Sequence, residues 1–121
     1  MKKLLLVTSF LGLLTGFAGA QLQNNAADIK ISSGSYLVAL NGVVNTDGGT
    51  LTVEGTLRTP ADLTNTAGAT LQGDGQYFIG GNWTNEAVFN AGTSAVTFTG
   101  DQGSTVTSGA AAFYDLALDK T

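Results

Sequence analysis

"LTNTAGATLQGDG" (residues 63–75) says nearly what "VVNTDGGTLTVEG" (residues 43–55) says twenty residues earlier, with six identities in thirteen positions: Asn, Thr, Gly, Thr, Leu and Gly. A further step of twenty reaches "WTNEAVF" (residues 83–89), which keeps Thr84 under Thr64 and Asn85 under Asn65 but loses the later Gly and Leu. A weaker echo at twenty-six residues sets "LTVEGTLRT" (residues 51–59) against "YFIGGNWTN" (residues 77–85) and suggests coils of unequal length. Short alternating apolar segments separated by Gly and Asn, at a period near twenty, are what a β-solenoid requires. Each repeat is then one turn of a coil whose strands pair with the turns above and below. The expected fold is all-β, a parallel β-solenoid (β-helix) of coils about 20 residues long, each adding about 4.8 Å of length.

In such a coil residues two apart share a face, so Val43, Leu63 and Trp83 should form one column and Asn45, Asn65 and Asn85 the next. A stacked Asn offers two amide donors and a carbonyl acceptor, enough to bond along the stack and to the corner backbone together. The alternative is that Asn only tolerates left-handed turn geometry, with no ladder. Glycines 48, 55, 68 and 75 need only positive φ or close packing at corners. No window after Gln21 supports a helix, because Gly, Thr and Val interrupt each one.

Working outward to the N-terminus, Lys2 and Lys3 precede the apolar run "LLLVTSFLGLLTGFAGA", which ends in Ala18-Gly19-Ala20. This is the pattern of a secretory leader, short for a membrane span and closing on a small-x-small cleavage site. Residues 1–20 are expected to be removed, leaving residues 21–121 as an exported solenoid segment without a membrane span. Three basic residues, Lys30, Arg58 and Lys120, then face nine acidic ones, a net of −6. Scattered cations cannot supply counterion release along a phosphate backbone, so nucleic acid is excluded as a partner. An anionic membrane surface is excluded on the same ground.

The chain has no His and no Cys. That removes His-based triads, thiol nucleophiles and the usual zinc sites, and no cofactor or metal site is expected. Asp47, Glu54, Asp74 and Glu86 are the carboxylates that could act as a glycosidic pair, and they read more simply as solvated corners. "GDG" (residues 73–75) resembles part of a calcium turn, without the nonapeptide pattern around it. The Thr-x-Thr pairs at residues 50/52, 97/99 and 105/107 do not recur at the coil spacing, so no ordered threonine array is expected.

From Gly80 the chain reads "GGNWTNEAVFNAGTSAVTFTGDQGSTVTSGAAAFYDLALDK". Gly81, Asn82, Trp83, Thr84, Asn85, Phe89, Gly92, Val96, Thr97, Phe98, Gly100, Gly109, Phe113, Tyr114, Leu116 and Lys120 carry a pattern that resembles the GNWTN/VTF/FYNL-type repeats of large secreted surface proteins of Bacteroidetes. Ala87 and Asp115 stand where that family carries Gly and Asn. The resemblance implies β-helical, adhesin-like rods displayed outside the cell and associated with type IX secretion. The expected function is therefore a non-catalytic structural or adhesive segment at the cell surface, touching surface glycans or other cells. The alternative is a carbohydrate-binding or polysaccharide-degrading β-helix with Tyr77, Phe78 and Trp83 as sugar platforms. Residues 113–118 alternate as a half-buried strand should, and are expected to receive downstream rungs of the same polypeptide.

Overall fold

Apolar residues at alternate positions, in runs too short for helices and punctuated by Gly and Asn, must bury one face of an extended chain. In the computed structural model, which describes residues 20–121, they do so as fourteen strands and no helix. The expected leader, apart from Ala20, lies outside the described residues. Strands β1 (Leu22–Asn25), β4 (Val43–Thr46), β7 (Leu63–Asn65), β10 (Trp83–Asn85) and β13 (Val106–Thr107) form a first sheet. A second sheet holds β2 (Asp28–Ile31), β5 (Thr50–Val53), β8 (Thr70–Gln72) and β11 (Val88–Asn90). The third holds β3 (Tyr36–Val38), β6 (Thr56–Thr59), β9 (Gln76–Ile79), β12 (Ala95–Gly100) and β14 (Asp115–Lys120). Every strand pair is parallel, and strands adjacent in sequence never pair with one another. The chain is a three-sided β-solenoid of five coils, the last of which has no strand in the second sheet.

Register follows the repeat. Val43 faces Leu63, which faces Trp83, and Asn45 faces Asn65, which faces Asn85. The odd members of these strands point inward because the pleat has period two. On the other two sides Leu51 stacks on Leu71, which Phe89 continues, and Leu57 stacks on Tyr77 and then Val96. All of these side chains are buried. One apolar column per strand position is the whole core, so a coil's stability comes from its neighbours rather than from itself.

Two details of the repeat are corrected by this register. The twenty-six-residue echo does not correspond to stacking, since Leu51 faces Leu71 and it is Leu57 that faces Tyr77. Consecutive strands of one coil, "TLTV" and "TLRT", alternate in the same way, and the echo confuses one side of the solenoid with the next. The Leu position missing from the third copy is occupied after all. The corner from Asn85 to Val88 is shorter than that from Asn65 to Thr70, and Phe89 takes the place above Leu71. An ungapped comparison looks for it at Ala91.

The four repeat glycines divide into two physical cases. At the first corner Gly49 N–H donates to Thr46 O (2.9 Å) and Ala69 N–H to Thr66 O (3.1 Å), closing four-residue turns. Both central residues of each turn lie at positive φ: Asp47 at 53° with Gly48 at 77°, and Ala67 at 53° with Gly68 at 75°. This is the primed turn that Asp-Gly prefers. Gly55 and Gly75 have ordinary φ and are excluded from substitution by space, because a Cβ on Gly75 would run into the Gly55 carbonyl of the coil below. Ala67 is the misfit, a Cβ in the left-handed region at a cost of roughly 1–2 kcal/mol. Ala67→Gly is therefore expected to raise stability by about 1 kcal/mol or somewhat less, the extra freedom of the unfolded chain taking back part of the gain. Urea denaturation reads this directly, and an unchanged midpoint would contradict it.

Candidate functional site

The inward polar column is the most distinctive chemistry in the molecule. Asn24 Nδ2 donates to Asn45 Oδ1, Asn45 Nδ2 to Asn65 Oδ1, and Asn65 Nδ2 to Asn85 Oδ1, each at 2.8 Å. Each amide also donates to the first strand carbonyl of the next coil's second sheet: Asn24 to Thr50 O (3.2 Å), Asn45 to Thr70 O (2.8 Å) and Asn65 to Val88 O (2.8 Å). Asn24, Asn45 and Asn65 thus sew each of the first three coils to the one after it at two points, and all four Asn side chains are buried. None of the four has positive φ, so turn tolerance is not their role. Asn24 was hidden from the repeat because it lies 21 residues before Asn45, rather than the 20 that separate the others. Its short lead strand "LQNN", placed one step off the period, was the available signal.

The ladder has a direction, donors toward the C-terminal coil and acceptors toward the N-terminal one. At its start Asn24 Oδ1 is buried and has no hydrogen-bond partner among the described residues. At its far end the register position after Thr107 holds Ser108 instead of a fifth Asn, and Asn85 Nδ2 reaches only the Ser108 carbonyl, at 3.5 Å. The Ser108 hydroxyl is also buried and unpartnered.

Corner side chains repeat the same logic outside the core. Asp62 Oδ1 accepts from Asn82 N–H (2.8 Å), Asn82 Oδ1 from Thr105 N–H (2.9 Å) and Asp74 Oδ1 from Thr93 N–H (2.9 Å). Each bond ties a corner to the next coil. Of the carboxylates considered for chemistry, Asp74 is engaged this way. Asp47 and Glu86 are exposed at the corner between first and second sheets, and Glu54 lies at the next corner. No group of three potential metal-binding side chains occurs among the described residues. Thr50 stacks on Thr70, but Thr52 faces Gln72 and Thr97 faces Phe78, so the threonines form no regular array.

The aromatic residues proposed as sugar platforms are mostly elsewhere. Tyr77 and Trp83 are each 0 % exposed. Their inward register places them in a cluster with Phe89 and Phe113, Trp83 lying 5.8 Å from Tyr77, 5.0 Å from Phe89 and 5.2 Å from Phe113 between ring centroids. Neither ring has a face to offer a sugar. Burial pushes the Tyr77 phenol far above its usual range, with the nearby Glu54 charge adding to the effect, so it stays neutral. Only Phe78 points outward, and the Arg58 guanidinium covers its ring at 4.6 Å while Arg58 Nε donates to the Tyr36 hydroxyl at 3.2 Å.

The expected strand over residues 113–118 begins only at Asp115. Phe113 is a corner residue whose ring turns into the core beside Trp83 and Phe89, and Tyr114 turns outward at 66 % exposure. Within β14 Leu116 faces Val96 and Leu118 faces Phe98, continuing two core columns at the open end.

Searches against family models, curated proteins and solved structures find no match to the chain.

Proposed function

We propose that residues 21–121 form a non-catalytic structural and adhesive segment of an exported surface protein. The observation that carries this reading is where the polar side chains are spent. The Asn column and the corner residues Asp62, Asp74 and Asn82 all bond one coil to the next. Such a column lends itself to a rod, because each added coil repeats the same contacts. Export is supported by Lys2, Lys3, the apolar run and Ala18-Gly19-Ala20, and surface display by the resemblance of residues 80–120 to secreted repeat proteins of Bacteroidetes.

A carbohydrate-binding role is the second reading, favoured by one feature. Tyr36, Arg58 and Phe78 form an outward cluster on the third sheet that presents an aromatic edge and a guanidinium together. That chemistry suits a glycan with carboxylate groups.

Export is tested by intact-mass measurement on protein recovered from outside producing cells. The expected N-terminus is Gln21, and material that keeps Met1 would refute the leader. Display is tested on intact cells with an added protease, which should remove the protein from the surface. A glycan array with the same material decides between the two contact readings.

A further inference from the structure

We propose that the outward face of the third sheet binds, at Arg58, a neutral glycan ending in one carboxylated sugar; this rests on the carbohydrate-binding reading above and narrows it to a single charge. Of the three basic residues that follow the leader, Lys30 lies in the second sheet. Lys120 Nζ is folded onto Thr99 O (2.7 Å), Gln102 O (2.7 Å) and Ser104 Oγ (2.8 Å). Arg58 alone stands on this face, with Val38 beside it in the coil before and Phe78 in the coil after.

The guanidinium is held at two points. Its carbon lies 4.6 Å from the Phe78 ring centroid, and Nε donates to the Tyr36 hydroxyl at 3.2 Å, its one hydrogen bond among the described residues. Both Nη groups keep their donors for a ligand, and the Tyr36 hydroxyl keeps its hydrogen. A planar fork fixed in advance matches the two oxygens of a carboxylate and loses little side-chain freedom on binding it. Tyr36 is 59 % exposed and Val38 39 %, an apolar floor beside the fork on which the C–H face of a sugar ring can lie. Thr56 and Gln76 follow Tyr36 in the neighbouring outward column and offer a hydroxyl and an amide to sugar hydroxyls. An extended acidic peptide suits the face less. Strand β6 is paired on both sides, to β3 and β9, so there is no backbone edge at Arg58 for a peptide to join.

One charge is favoured over many because the same face turns acidic along its length. The column of Arg58 and Phe78 runs on through Thr97 to Ala117, where exposed Asp115 and Asp119 flank it. They stand three coils beyond Arg58, about 14 Å at the usual strand spacing. A polyuronate laid along the face sets its further carboxylates over these aspartates, and one laid across it meets no second cation. A single terminal carboxylate meets Arg58 alone.

Isothermal titration of the exported protein with a neutral galactose oligosaccharide capped by one glucuronate should show binding that weakens as salt is raised. Reducing the glucuronate carboxylate to the alcohol should weaken binding by about tenfold or more, and so should Arg58→Gln. What binding is left should no longer respond to salt. Arg58→Lys keeps the charge without the fork and should recover only part of the loss. Tyr36→Ala, at an exposed position outside the core, should weaken the capped and the reduced oligosaccharide alike. Polygalacturonate should bind no more tightly than the reduced oligosaccharide. Equal affinity for the capped and reduced forms, or wild-type affinity in Arg58→Gln, overturns the proposal and leaves glycan contact standing. Binding to no sugar overturns both, and tighter binding of a glutamate-rich peptide than of the capped oligosaccharide also overturns the proposal.

Discussion

Trp83→Ala is expected to destabilise the protein by about 3–5 kcal/mol, a large share of what a domain of this size possesses. Trp83 is fully buried and touches three other rings, none of which sheet pairing joins to it directly. Removing it leaves a cavity at the point where three sides of the solenoid meet, and a coil held only by its neighbours has no other core to fall back on. Trp83→Phe should cost much less. The indole Nε1 has no hydrogen-bond partner among the described residues, so Phe keeps most of the apolar contact and removes a buried donor that was never satisfied. Urea denaturation of the two variants checks this, and equal losses would show that the N–H, not the ring, does the stabilising.

Asn65→Ala should cost about 1–3 kcal/mol, because it removes a buried donor and acceptor from the middle of a chain of amides. Asn45 loses the acceptor it reaches at 2.8 Å, Asn85 loses its donor, and the Val88 carbonyl is left without the side-chain bond. Asn65→Gly is expected to be at least as damaging as Ala, since Asn65 has no positive φ for glycine to relieve and glycine adds unfolded-state freedom. Full recovery with Gly would reduce the column to turn chemistry. Asn65→Asp gives a further test of direction. Its carboxylate can accept from Asn45 but faces the acceptors Asn85 Oδ1 and Val88 O, which favours the protonated form in the folded state. Its folded pKa is then raised, so the variant should be most stable at low pH and lose stability as pH rises through that pKa.

Much of this architecture is legible in thirteen residues. "VVNTDGGTLTVEG" and "LTNTAGATLQGDG" determine the period, the inward column of Val43 and Leu63, and the candidate Asn column, because parallel stacking demands like over like and a period-two pleat decides which side chains can meet. Asp-Gly at the corner likewise determines a primed turn, a matter of local φ alone. Local physics of that kind is written into neighbouring residues.

What the sequence could not decide depends on contacts between coils of unequal length. Asn24 joins the ladder one step off the period, and Phe89 fills the Leu71 column after a shortened corner. A corner can gain or lose residues freely because it faces solvent, while the strands it connects are held in register by hydrogen bonds. Tertiary structure also decided that Tyr77 and Trp83 are core and Phe78 surface. Adjacent aromatic residues read alike in sequence, and only the pairing of Leu57 with Tyr77 turns one ring inward and leaves the next to Arg58 and solvent.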